Sequence, residues 1–491
     1  MLERRAAATL ALALLLGLTA QYLFYRQALG LNFPLGTALF VAAAARLRPR
    51  EQRLRPIDLW IPGSALAFAA FVAVRADGTL LFFDILATLA LCGASVLVFA
   101  GVPVSTLTLR RLIGEAGSLI GRSFVGVFSA IERAWPLLRR LSPRMARAAG
   151  PLAGVLLAAP FVIVFALLFS SADAVFARAL ERVIDVKRLV ELLGEAPGRL
   201  MVAGIVGWAA AGALWTMSRA PREYAGTTGG ALGASTATVA LVLIDMLFAS
   251  FVVLQLAYLF GGRDTLDAAG ITYSAYARRG FFELIAVVVI VGGLLLGLDL
   301  VLRTRGRSYV IAAMILLLLT GAVLVSAYFR LDLYQRAYGW SELRFYAFAA
   351  IAFLAIALAV GLWSVLRGRV AYIAMPVVAA AVAVGLCVNV IGPSGYIARA
   401  NLARVIDPTG LPDDAQRSLD AWSLVQLGEG AMPDIVSRFD AAPQSDRMHL
   451  FDVLHQYTRG RDFSRVPDWR GWNLDRERAR AALAEWERVR R

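Results

Sequence analysis

The side chains able to do chemistry gather at the ends of long apolar runs. Ser170–Phe176 carries Asp173. Tyr273–Glu283 carries Tyr273, Tyr276, Arg278, Arg279 and Glu283. Arg330–Tyr346 carries Arg330, Asp332, Tyr334, Tyr338, Glu342 and Arg344, and Asp84 near the start of another run joins them. Arginine grips phosphate or carboxylate through a planar fork of donors. A neighbouring Asp or Glu serves as a general acid or base, or as the arginine's counter-ion. Charges at membrane depth are costly, so they pair or face a wet cavity. Two readings stay open. In one, Asp173, Glu283, Asp332 and Glu342 neutralise Arg278, Arg279, Arg330 and Arg344, and the rim, anchored by tyrosines, locks the helices. In the other, the same residues line a polar cavity, roofed by the C-terminal segment, that takes an anionic or polar ligand. If 330–338 is helical, Arg330, Tyr334 and Tyr338 share a face and Asp332 meets Arg336. Asp245 lies well inside an apolar run, with Thr238 on its face. It is a candidate for proton or ion handling, or a protonated acid bonded to a neighbouring helix. Asp299 and Asn389, near run ends, are expected to snorkel or cap.

Familiar catalytic signatures are missing. Lys187 is followed by Arg188 with no glycine-rich loop before it, and no H-E-x-x-H, paired C-x-x-C or G-x-S-x-G occurs. Gly226–Gly233 reads as a linker. The two histidines, His449 and His455, and the two cysteines, Cys92 and Cys387, make no metal set, so neither metal nor cofactor is expected.

The elements that hold these residues are transmembrane helices. Of 491 residues, 59% are hydrophobic, against about 45–50% in soluble domains. Eleven apolar stretches suit membrane entry: 6–25, 29–45, 59–74, 80–104, 151–169, 200–217, 237–260, 281–302, 309–328, 345–366 and 371–390. The second and third are short and contain Pro34 and Pro62, so a broken hairpin is one outcome. Residues 6–20, after Arg4 and Arg5, also fit a signal peptide, although Tyr22–Tyr25 extends the run as an anchor does. Net charge is +15, yet residues 392–491 balance 15 arginines with 15 acids. The excess therefore lies in the loops of the apolar region. That pattern suits the lipid bilayer, with anionic lipid headgroups at the inner face, and argues against nucleic acid. With the N-terminus inside, inner segments hold 22 basic residues and outer ones 13, the asymmetry expected of a cytoplasmic N-terminus. An odd number of spans then places the C-terminus outside.

The expected fold is all-α: a polytopic transmembrane helix bundle of about 11 spans with a small C-terminal helical extramembrane domain. Its parts are a four-span region (1–104), a basic amphipathic linker on the inner surface (105–150), a seven-span bundle (151–391) and a soluble helical domain on the outer face (392–491). Within the last, 413–427, 433–439, 446–457 and 474–489 read as helices, with Asn473 as N-cap of the final one. Residues 174–193 read as an outer interfacial helix.

Three stretches resemble an uncharacterised bacterial multi-pass membrane family catalogued as domain of unknown function 4173. Tyr273–Leu284 is similar to its Y-S-x-Y-A-R-R-G-F-x-x-L pattern. Arg330–Arg344 is similar to R-x-D-L-Y-x-x-A-Y-G-x-T-x-L-R, with Ser341 in the threonine position. Asn401–Arg404 and Asp468–Asn473 look like its C-terminal landmarks. The resemblance implies a membrane location and supplies no activity.

Three functions follow. The first is a cell-envelope binding, sensing or assembly module of the inner (plasma) membrane with an outer-face polar cluster. The second is a transporter of a small polar or anionic solute, and the third a membrane enzyme acting on a lipid-linked substrate. The sequence specifies no protein partner. Sidedness is checked by C-terminal reporter fusions. An alkaline-phosphatase fusion at the C-terminus should be active and a cytoplasmic-type reporter silent; the reverse pattern contradicts the odd span count.

Overall fold

The computed structural model describes residues 2–49, 52, 54–141, 195–217, 233–260, 281–302, 305–409, 411, 415–459 and 468–490. Among them every regular element is a helix. Lipid offers no partner for a free N–H or C=O, and a helix satisfies both within one segment. Nine helices among the described residues are long and apolar enough to cross a membrane. They are α1 (Leu2–Phe24), α3 (Trp60–Val74), α4 (Gly78–Phe99), α6 (Ala196–Thr216), α7 (Ala234–Phe260), α8 (Phe281–Val301), α9 (Arg307–Tyr338), α10 (Glu342–Leu366) and α11 (Ala374–Ile391). Of the two other expected spans, α2 (Asn32–Leu47) has only 16 residues. The remaining one, 151–169, lies outside the described residues, as does the expected helix at 174–193. Pro34 and Pro62 break neither α2 nor α3; each sits in a first turn, where its missing N–H leaves no bond unmade. The basic linker contains α5 (Leu109–Leu141), which leaves Ile113, Ile120, Phe124 and Val125 exposed.

The chain forms two compact units. The first comprises Met1–Leu66, Ala90–Val102 and Glu115–Arg222. Its central contact is α1 along α6. Small residues let the backbones approach: a Cβ on Gly17 would lie 3.2 Å from Gly207 Cα, and Ala13 and Ala203 stand one turn earlier on each helix. Lipid tails are as apolar as leucine, so such close packing, more than apolar burial, holds membrane helices together. Asn32 secures the turn between α1 and α2. Its Nδ2 donates to the carbonyls of Leu23 and Ala28, both at 3.0 Å, and its Oδ1 accepts from Gly30 N–H.

The second unit comprises Ala67–Leu89, Pro103–Gly114 and Glu223–Arg491. There α7, α8 and α10 pack against α9. At 32 residues, α9 is about 48 Å long against a hydrocarbon core of about 30 Å. The surplus is the polar stretch Arg330–Tyr338. Five further helices follow: α12 (Pro393–Ile406), α13 (Ala421–Gln426), α14 (Met432–Arg438), α15 (Gln444–Thr458) and α16 (Leu474–Arg490). The last three match sequence expectation closely, and Asn473 caps α16 by accepting Arg476 N–H at 3.1 Å. The helix expected from 413 begins only at Ala421, where Asp420 accepts Ser423 N–H and fixes its start. The sequence does not separate α12 as a helix of its own.

These five helices share one apolar core with the ends of α4, α10 and α11. Leu80, Phe345 and Val388 meet Leu402, Met432, Ile435, Leu450 and Trp486. Leu450 is fully buried in it. Leu450→Ala should therefore lower stability by about 2–5 kcal/mol, read as earlier thermal unfolding and faster proteolysis within 393–490. Unchanged resistance would mean that this core does not hold the segment.

Candidate functional site

The turn between α9 and α10 is built from its helix ends. Gly339 terminates α9 with φ +77, a backbone state that side chains disfavour. A Cβ there would also sit 2.7 Å from Asn401 Oδ1. Ser341 begins α10 as N-cap, its hydroxyl accepting Arg344 N–H at 3.4 Å. Asn401 on α12 reads the residue between. It accepts Trp340 N–H and donates to Trp340 C=O, both at 2.8 Å.

Two arginines close the C-terminal end of α9. Arg404 donates to the carbonyls of Arg336 (2.6 Å) and Ala337 (2.7 Å), and more weakly to Gln335 and Gln416. Arg344 donates to Tyr338 C=O at 3.1 Å and Gly339 C=O at 2.5 Å. Its guanidinium also lies over the Tyr334 ring, 4.2 Å from the centroid. A helix C-terminus carries partial negative charge and four unpaired carbonyls, so a guanidinium is a natural cap. Burial, with Arg344 nearby, pushes the Arg404 pKa down from its ordinary value.

This arrangement corrects one expected pairing. No described carboxylate forms an ion pair with Arg344; carbonyls and an aromatic face hold it instead. Asp332 forms an ion pair with Arg336 at 2.9 Å on the exposed side of α9, and Tyr334 meets Tyr338 edge to face at 5.1 Å. Arg330 is half-buried on the same helix, and Glu283 is exposed in the first turn of α8. Asp173, Tyr273, Tyr276, Arg278 and Arg279 lie outside the described residues. Asp245 is buried on α7, and its Oδ1 has no hydrogen-bond partner among the described residues. Thr238 does not supply one, because its hydroxyl returns to Ala234 C=O.

Beside the α9–α10 turn lies a cleft of about 480 Å³. Tyr338, Glu342 and Arg344 form one wall, Asn401 and Arg404 on α12 another, and the segment Gln416–Ser423 the third. The lining holds Arg344, Arg404 and Arg417 against Glu342 and Asp420. The cleft therefore favours a negatively charged or strongly polar guest.

Asp84 belongs to a second cluster that sequence reasoning did not assemble. Asn389, expected to cap or snorkel, is fully buried and donates to Asp84 Oδ1 at 2.6 Å. Asp77 caps α4 through Leu80 N–H (3.0 Å) and accepts the Ser394 hydroxyl at 2.6 Å. Arg75 donates to the carbonyls of Asn389 (2.8 Å) and Val390 (2.9 Å), capping α11, and reaches Asp475 at 3.8 Å. Asn473 donates to Val72 C=O (3.0 Å) and Arg75 C=O (2.8 Å). Burial pushes the Asp475 carboxyl up, opposed by Arg75, whereas Arg470 holds exposed Asp468 down at about 2. The usable signals were an Asp three residues before Leu80, and Gly392-Pro393 closing α11 just beyond Asn389.

A family model described as Domain of unknown function (DUF4153) matches residues 63–437, and the chain belongs to that family. This overturns the resemblance to domain of unknown function 4173: both Tyr273–Leu284 and Arg330–Arg344, which suggested it, fall inside the matched stretch. No curated protein and no solved structure matches the chain.

Asn401 makes a specific claim testable. Asn401→Asp keeps the acceptor for Trp340 N–H but loses the donor to Trp340 C=O. It should cost about 1–3 kcal/mol by thermal unfolding, as should Asn401→Ala. Equal stability of all three proteins would show that the turn does not depend on this side chain.

Proposed function

We propose that this DUF4153 membrane protein is a cell-envelope binding, sensing or assembly module of the inner membrane that captures an anionic, polar ligand in the cleft beside the α9–α10 turn. The observation that carries the reading is the cleft itself. It spans about 480 Å³, a volume typical of small-molecule sites, and two of its arginines, Arg344 and Arg404, are fixed by the end of α9. Preorganised donors bind an anion without reordering first.

Positive-inside asymmetry, with eleven spans and the N-terminus in the cytoplasm, puts this cleft and the helices α12–α16 on the outer face, where those helices form a small extramembrane domain. The four-part division at residues 104, 150 and 391 belongs to the same proposal. So does the placement of α5 on anionic headgroups at the inner face, supported by its exposed Ile113, Ile120, Phe124 and Val125. The remaining residues of the outer cluster, Asp173, Tyr273, Tyr276, Arg278 and Arg279, join it by sequence parity, and Asp245 is assigned to the interior of α7.

Glycerol phosphate is a suitable soluble probe, since it carries the anionic and hydroxyl chemistry of envelope headgroups. With the full chain in lipid nanodiscs, ligand-detected NMR should show binding. Arg417→Glu reverses an exposed charge on the cleft, and Ser423→Trp fills it; each should weaken binding by tenfold or more. Equal signals from wild type and both variants would remove the cleft from the account.

A further inference from the structure

We infer that Trp469 and Trp472 dock the C-terminal segment onto the bilayer, their rings lying in the glycerol and headgroup layer at the level where α3 and α11 end. The inference is independent of the cleft and of the side of the membrane on which the segment lies.

Hydrogen bonds to helix ends fix the depth of this segment. Asn473 is buried and donates to the carbonyls of Val72 at 3.0 Å and Arg75 at 2.8 Å. Two residues on, Asp475 accepts Ala76 N–H at 3.4 Å. Arg75 in turn donates to the carbonyls of Asn389 and Val390, so α11 ends at the same level as α3. The apolar stretch Pro56–Val74 has 19 residues and α11 has 18. Each is therefore about 27–28 Å long, against a hydrocarbon core of about 30 Å. Both ends reach the boundary where hydrocarbon gives way to headgroups. Val390 and Ile391, in the last turn of α11, are exposed there, as lipid-facing side chains are.

The two rings sit on a short, firmly held turn at this boundary. Trp472 immediately precedes Asn473, and Trp469 opens the 3₁₀ turn Trp469–Gly471. Asp468 caps that turn by accepting Arg470 N–H at 3.0 Å, and Arg476 donates to Gly471 C=O at 3.3 Å. Trp469 is 50% exposed and Trp472 37%. Neither indole N–H has an acceptor among the described residues. Water leaves the apolar ring wet, and hydrocarbon leaves the N–H without a partner. The interfacial layer answers both needs, because ester and phosphate oxygens accept the N–H while the ring covers the tops of the acyl chains. Arg470, between the two tryptophans, is ion-paired with Asp468, so this pair brings no net charge to the boundary.

The test uses the full chain, labelled with fluorotryptophan, in phosphatidylcholine nanodiscs. Trp469→Phe and Trp472→Phe each assign one fluorine resonance; if one variant fails to fold, the other ring decides. A nitroxide on the fifth acyl carbon of the lipid should broaden both resonances about twofold or more beyond a nitroxide on the sixteenth carbon, as rings at the interface require. No broadening by either lipid overturns the inference and leaves the rings facing water or a protein partner. Broadening that is equal for the two lipids, or greater from the sixteenth carbon, also overturns it.

Discussion

Backbone polar groups that this chain carries within lipid must find their partners inside the chain. Helices solve the problem along their length and fail at their ends, where four N–H and four C=O groups lack partners. In the second unit, side chains from both adjacent and distant segments complete those ends. Arg404 and Arg344 cap α9, Arg75 caps α11, and Asp77 caps α4. The helices α12–α16 are therefore joined to the apolar helices by polar recognition of helix termini as well as by their shared core.

That constraint explains why Arg344 turns to backbone carbonyls rather than to a nearby acid. A carboxylate partner neutralises one charge. A helix terminus offers several carbonyls in one place and places the guanidinium rigidly. Rigid, partly exposed guanidinium groups around a cleft recognise anions, and the proposed binding role rests on that preorganisation.

Much of the fold was legible in the sequence, because apolar runs report lipid exposure directly. The nine long helices follow the runs, and Asn473 announces itself as a cap by preceding Leu474-Asp475 with Glu477 nearby. Asn32–Leu47 was the ambiguous run: apolar in character, short in length. The partnership of Asp84 with Asn389 was not legible, since it joins residues about 300 positions apart and nothing local marks it. Arg344 misled for a related reason. Sequence proximity to Glu342 suggests an ion pair, but within the first turn of α10 the side chain turns back toward α9 instead. Of the residues expected at the rim, Tyr338, Glu342 and Arg344 line the cleft, while Asp84 belongs elsewhere.

The claim that helix ends are completed by distant side chains is tested most directly by amide hydrogen exchange over residues 338–345 in nanodiscs. The amide of Trp340 sits in a turn, between Gly339 and Ser341, where an uncapped N–H exchanges at loop rates. Held by Asn401 at 2.8 Å, it should exchange as slowly as amides in the interior of α10. Exchange at the rate of an open loop would contradict the account.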